Sequence, residues 1–346
     1  MKTESADSNQ KAENISANRS PTPAPDAAHK PAPLWLVVTA FATVYLVWGS
    51  TYLGIRYAVQ SIPPFMMAGA RHFVAGLILF TFTRFRRVAF PGWIEWRDAA
   101  IAGTLMLVIG NGGVTWAEQR IPSGVAALLV ALVPLWMVVL DWLRPGGARP
   151  RPWVGVGLLI GIAGVALLAR GHGEHHEAAY GWSVAALMIA SISWAWGSLF
   201  SRRARKPKSP LLGVAMQMIA GGAVLLVLAA AHGEFRRFAF GDVTRVSFGS
   251  WLYLTIAGSL IAYTAYVWIL QVSTPARVAT YAYVNPLIAV LLGCTLGREA
   301  FSHELILAAA LIVLAVILIV RGGAQSNGAK TLSTTAANSK MEPVSK

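Results

Sequence analysis

Residues 153–169 read WVGVGLLIGIAGVALLA, with no charged or amide side chain among them. As a helix, a run of this length crosses a hydrocarbon core about 30 Å thick. No water is available there to satisfy peptide groups, so a spanning segment must be a helix or a strand of a closed barrel. Barrel strands alternate apolar and polar residues over about ten positions, and 153–169 does not alternate. It is therefore predicted to be a transmembrane helix. Nine further runs of the same character lie at 34–57, 64–83, 99–117, 121–143, 180–200, 210–231, 250–271, 274–297 and 303–320, the second and third being interrupted by polar residues. The composition agrees. The chain is 55% apolar and 13% charged, where soluble domains carry about 25% charged residues. The expected class is an all-α integral membrane protein of ten transmembrane helices.

Residues 1–33 and 322–346 lack apolar runs and read as disordered tails. No apolar stretch precedes a cleavage site near the start, so no signal peptide is expected. The single cysteine, Cys294, falls inside a predicted span and can form no intrachain disulfide. A net charge of +14 raises the question of nucleic acid, but its distribution answers otherwise. With the amino terminus inside, the inner loops hold thirteen Lys and Arg against six in the outer loops. This is the positive-inside bias of a membrane protein, with both termini cytoplasmic. The run RRARKPK at 202–208 is a topology signal that also meets anionic lipid heads. No nucleic-acid partner is expected.

Three motifs recur in the same order at a spacing of roughly 150 residues. Trp48-Gly49-Ser50 returns as Trp196-Gly197-Ser198. PSGVA at Pro122, followed by Pro134, returns as PARVA at Pro275, followed by Pro286. LLARG at 167–171 returns as LIVRG at 318–322. Five helices per half is an odd number, so two such halves, 34–171 and 178–321, must be inverted relative to one another. That is the plan of many secondary transporters, with a central cavity between the halves.

The stretch YLVWGSTYLGIRYAVQSIPPFMMAGARHFVAGLILF (45–80) resembles the opening of EamA-type members of the drug/metabolite transporter superfamily, and PARVATYAYVNPLIAVLLGCTLGREAF (275–301) resembles the ninth helix of that family. The resemblance covers about 34–321. It implies two EamA domains, a central substrate cavity and export of metabolites, amino acids or drugs across a bacterial inner membrane. The family's Gly-Glu pair is present as Gly297-Arg298-Glu299. The matching place in the first half reads Arg144-Pro145-Gly146-Gly147, so a role needing an acid in both halves is not implied.

Several residue types point to a transport site. Pro134 and Pro286 each lie about 17 Å along their helices, near the bilayer midplane. A proline there frees a carbonyl about a turn earlier; the reading is either a break lining the site or a plain kink. Arg71 is a charge inside the second span, with Glu118 as its expected partner. Either Arg71 attracts an anionic substrate group while Glu118 exchanges a proton, or the two form a static pair. His72 is a second proton-coupling candidate. Trp48, Trp196, Tyr263, Tyr266, Trp268, Tyr281 and Tyr283 offer rings, and Ser50, Asn111, Gln217, Gln271 and Asn285 offer polar groups, to a small ligand. No carboxylate lies at a span midplane, which leaves an uncoupled facilitator or an exchanger open.

Other features are discounted. His172, His175 and His176 in an outer loop make at most an adventitious metal site, and no metal or cofactor is expected. Gly157 and Gly161 form a GxxxG pattern that serves either packing within the chain or a homodimer. The glycines around Asn111 lack the lysine of a phosphate loop. An intramembrane enzyme would need a nucleophile–base pair or a metal set that the spans do not offer. A non-transporting sensor would more naturally carry a soluble domain.

Overall fold

A computed structural model of the chain describes residues 32–144, 152–170, 177–273, 275–278, 280–299 and 302–318. The two terminal tails, but for residues 32 and 33, and the histidine-bearing loop at 172–176 lie outside the described residues, as does the side chain of Tyr283.

Among the described residues the chain is helical and contains no strand. Seven helices are long and apolar enough to cross a membrane: α1 (Leu34–Ala58), α2 (Pro64–Phe85), α3 (Trp93–Ala117), α4 (Ser123–Leu143), α6 (Tyr180–Arg203, within a helix beginning at Glu177), α7 (Pro210–Ala231) and α8 (Arg245–Val272). The other three expected spans are helices with shorter apolar stretches: α5 (Pro152–Arg170), α9 (Tyr281–Thr295) and α10 (His303–Leu318).

The helix starts follow from local chemistry. Proline opens α2 and α7 at positions where its missing N–H costs nothing. Ser209 and Thr244 accept bonds from Leu212 N and Ser247 N and so cap α7 and α8. Neither α2 nor α4 has a capping side chain of its own. Each borrows a distant carboxylate. Glu234, after α7, accepts from Phe65 N and Met66 N at 3.3 and 2.7 Å, and Glu299, after α9, serves α4.

The helix breaks depart from the sequence expectation. In α4 the regular ladder is interrupted at Ala131 and Leu132, as the missing N–H of Pro134 requires. In the ninth segment Pro286 sits inside a continuous helix. There the interruption comes earlier, at Thr280, separating the turn Pro275–Val278 from α9. The Thr280 hydroxyl bonds Arg277 O at 2.5 Å, an i to i−3 contact that competes with helical pairing. The expected matching midplane breaks are thus found at Pro134 but not at Pro286.

A pairing that composition did not signal takes their place. Thr104–Asn111 in α3 and Leu254–Tyr263 in α8 are both π-helical, and they begin 150 residues apart. A π segment leaves backbone carbonyls free for other donors. Ser193 Oγ on α6 donates to Leu105 O at 2.7 Å, and Trp48 Nε1 on α1 donates to Gly258 O at 3.3 Å.

The backbones of α2 and α7 approach closely at glycines. A methyl added to Gly222 would lie 2.5 Å from Phe73 N, and one added to Gly76 would lie 2.8 Å from Ile219 N. Small residues permit such backbone contact between membrane helices.

Candidate functional site

Two adjoining chambers lie between these helices. The larger, about 70 Å³, is lined by Trp48, Thr51, Tyr52 and Ile55 of α1, Gly110, Asn111 and Val114 of α3, Val130 of α4, Ala190 and Trp194 of α6, and Tyr281 and Asn285 of α9. The smaller, about 30 Å³, is lined by Trp48, Thr51, Arg71, His72, Leu107, Asn111, Trp194, Gly258, Ser259 and Tyr263. Trp48, Thr51, Asn111 and Trp194 belong to both. The mixed lining, rings beside hydroxyl, amide and guanidinium groups, is that of a small-molecule site.

Rings build the shared wall. Trp48 packs edge-on against Trp194 and Tyr281, with centroids 5.5 and 5.8 Å apart, and lies 4.7 Å from the Tyr266 ring. Behind it, Tyr266 bonds Trp194 Nε1 at 3.3 Å and Ser198 Oγ at 2.9 Å. Tyr263 donates to Gln217 Oε1 at 2.8 Å. With its amide nitrogen turned towards them, Asn285 donates to Tyr45 O and Tyr281 O at 3.1 and 3.2 Å. These bonds fix the rings before any ligand arrives.

Of the sequence candidates, Trp48, Arg71, His72, Asn111, Tyr263, Tyr281 and Asn285 come together as lining residues, with Tyr266 and Gln217 supporting them. Trp196 does not join them. It is 57% exposed on the outer face of α6, while Trp194, missed by sequence reasoning, occupies the wall. Gln271 is exposed and Trp268 half-buried. Ser50 bonds Tyr253 OH at 2.5 Å outside both chambers. Pro134 and Pro286 are buried but do not line either chamber.

The Arg71–Glu118 pair expected from sequence is not among the ion pairs of the described residues. Arg71, 3% exposed, donates through Nη2 to Asn111 Oδ1, and its Nε has no partner. Glu118 follows Asn111 by seven residues, about 10 Å further along α3. It is also 3% exposed, and neither carboxylate oxygen has a hydrogen-bond donor.

Arg56, the residue after Ile55, meets a buried side-chain carboxylate that lines neither chamber. Glu299 accepts from Arg56, from Ser123 N and Oγ at 2.8 and 2.5 Å, and from Gly124 N at 3.1 Å. Charge-assisted bonds at a helix N-terminus are among the stronger kind. Arg298 adopts a left-handed conformation, φ 52°, as the chain turns back to deliver this side chain.

Comparisons with known proteins now bear on this arrangement. The EamA-like transporter family model matches residues 34–170 and again 181–321. The chain is 40% identical over 284 residues to the inner membrane transporter YedA of Escherichia coli (strain K12), covering 82% of this chain and 90% of that one. It is 26% identical to protein PecM of Dickeya dadantii (strain 3937), over 79% and 88% of the two chains. A solved crystal structure, 22% identical, superposes with a TM-score of 0.58 over 82% of this chain and 96% of the other, a likeness of fold alone. Two matched segments filling most of the chain, together with a 40% identical relative of equal span, place it: the protein belongs to the EamA-like transporter family.

Proposed function

We propose that this chain is a multi-pass secondary transporter of a bacterial inner membrane, with both termini cytoplasmic, which exports a small metabolite, amino acid or drug by alternating access. Its ten spans form two inverted five-helix repeats, and the substrate sits in the chambers between them. The observation that carries this reading is the larger chamber, walled by α1, α3 and α4 from the first matched segment and by α6 and α9 from the second. A site shared by both halves changes its access when one half rocks against the other. The paired π segments support the repeat, because each gives a carbonyl to a helix of the other half.

Arg71 reads an anionic group on the substrate. Conservative and neutral replacements separate this from a packing role: Arg71→Lys retains part of the transport and Arg71→Gln loses it, at equal expression. Wild-type rates in both variants overturn the assignment. The substrate itself is found by screening a metabolite panel for reduced retention in overexpressing cells, and unchanged retention of every solute counts against export.

Glu118 is the proton-coupling candidate, with His72 second. A facilitator or exchanger is the competing reading, favoured by the lack of an acidic side chain lining either chamber. Accumulation against a concentration gradient in proteoliposomes with an imposed pH gradient excludes the facilitator.

A further inference from the structure

Resting on that reading of Arg71, we infer that Ser259 is the second donor of an oxyanion subsite in the smaller chamber, and that the substrate is an amphipathic monoanion whose apolar body lies in the larger one. Arg71 and Ser259 stand on α2 and on the π segment of α8, and both line the chamber. They are 3% and 1% exposed, and Arg71 Nε and Ser259 Oγ have no hydrogen-bond partner. A buried donor left unmade costs about 1–3 kcal/mol, more when charged. A polar-lined space bordered by two residues with such donors is a place for an acceptor.

The other polar groups in the chamber define what kind of acceptor. Thr51 Oγ1 spends its proton on Trp48 O at 2.7 Å, and the Tyr263 hydroxyl spends its own on Gln217. His72 Nδ1 lies 2.8 Å from Ala68 O, so that nitrogen carries the proton and is already engaged. Asn111 gives its oxygen to Arg71 and keeps its amide nitrogen as a donor. The uncommitted donors are therefore a guanidinium N–H, an amide N–H and a hydroxyl; the acceptors left, His72 Nε2 and hydroxyl lone pairs, are neutral, and no carboxylate lines the space. Three donors and a net positive charge fit a carboxylate or another singly charged oxyanion; an ammonium group meets only neutral acceptors there and the like charge of Arg71. The larger chamber opens from the shared residues Trp48, Thr51, Asn111 and Trp194, and its further lining includes Tyr52, Ile55 and Val114. It suits rings or branched chains.

The test measures binding to the purified full-length protein by isothermal titration, using three probes with one body: 3-phenylpropionate, 3-phenylpropanamide and 3-phenylpropylammonium. The carboxylate binds about tenfold or more tightly than the amide, and the ammonium does not bind. Ser259→Ala weakens carboxylate binding about tenfold, the worth of one charged hydrogen bond, and leaves amide binding as it was. Ser259→Thr, which keeps the hydroxyl, restores part of the loss. Equal affinity for acid and amide, or no carboxylate binding at millimolar concentration, overturns the subsite. Loss in Arg71→Gln with no change in Ser259→Ala removes Ser259 while leaving the Arg71 reading intact. A full binding pattern in a protein that moves no solute in proteoliposomes overturns the transport reading and not this one.

Discussion

Trp194 and Trp196 are two residues apart on α6, which puts them about 200° apart around a helix of 3.6 residues per turn. One must face the protein if the other faces lipid. The repeated Trp-Gly-Ser motif drew attention to Trp196, because its counterpart Trp48 lines the site. The face of α6 decides otherwise. Trp194 shares its side with Ser191 and Ser198, both buried, whereas Trp196 lies two turns from Ile189, which is 59% exposed. Small polar residues at i−3 and i+4 were the available signal. Trp194→Ala is therefore expected to lower initial transport rates about tenfold or more, through loss of a wall ring and of the bond to Tyr266. Trp196→Ala leaves the rate near wild type. Rates in proteoliposomes normalised to inserted protein check both. Arg71 was legible as a charge in an apolar run, but its partner was not: the sequence pointed to Glu118, the charge on the next span, and the π segment ending at Asn111 brings the amide to it instead.

The helical class and the approximate ends of the seven long apolar helices could be read from apolar runs, because the bilayer imposes their length. The π segments could not, since an i to i+5 ladder carries no characteristic spacing of side chains. Breaks were half legible. Proline signals where a bond is missing, but whether the helix bends depends on what its neighbours supply. The α2–α7 contact illustrates a similar limit, and it makes a prediction. Alanine for glycine inside a helix normally stabilises by about 1 kcal/mol. Gly222→Ala should do the reverse, because its methyl meets the α2 backbone at Phe73, and overpacking costs about 1–3 kcal/mol. Gly181→Ala on α6 is the control: nothing lies within 4 Å of an added methyl there. Thermal melts in detergent should fall for the first and not for the second. Glu299 belongs to the same scale. Removing it leaves the starting N–H groups of α4 and the Arg56 guanidinium without their acceptor, so Glu299→Ala is expected to destabilise by about 3 kcal/mol. Glu299→Gln, which retains one acceptor, falls between. A melting curve equal to wild type for Glu299→Ala contradicts the capping role.

In the molecule as a whole, the two segments that match the family, 34–170 and 181–321, are unlike in charge. No Asp or Glu occurs between residues 142 and 173, so the end of α4 has no equivalent of Glu299, just as Arg71 has no counterpart in α7. The proton coupling proposed above then needs an unpaired group, and Glu118 is the one whose surroundings suit it. It is a carboxyl buried at the end of α3 with no donor on either oxygen, and Arg56, Arg71 and Glu299 act on it only through space. A buried carboxylate without bonds is costly, and taking up a proton removes that cost. Under the proposed reading, an anion bound at Arg71 changes the field at Glu118 and so links substrate occupancy to the proton. Glu118→Gln fixes the neutral form. It is expected to abolish accumulation driven by a pH gradient while leaving downhill equilibration of the same solute, and its thermal stability should not fall, because the amide carries no buried charge. Loss of both movements assigns Glu118 to substrate passage instead, and gradient-driven accumulation at the wild-type level removes it from coupling and leaves His72 to be tested by the same pair of assays.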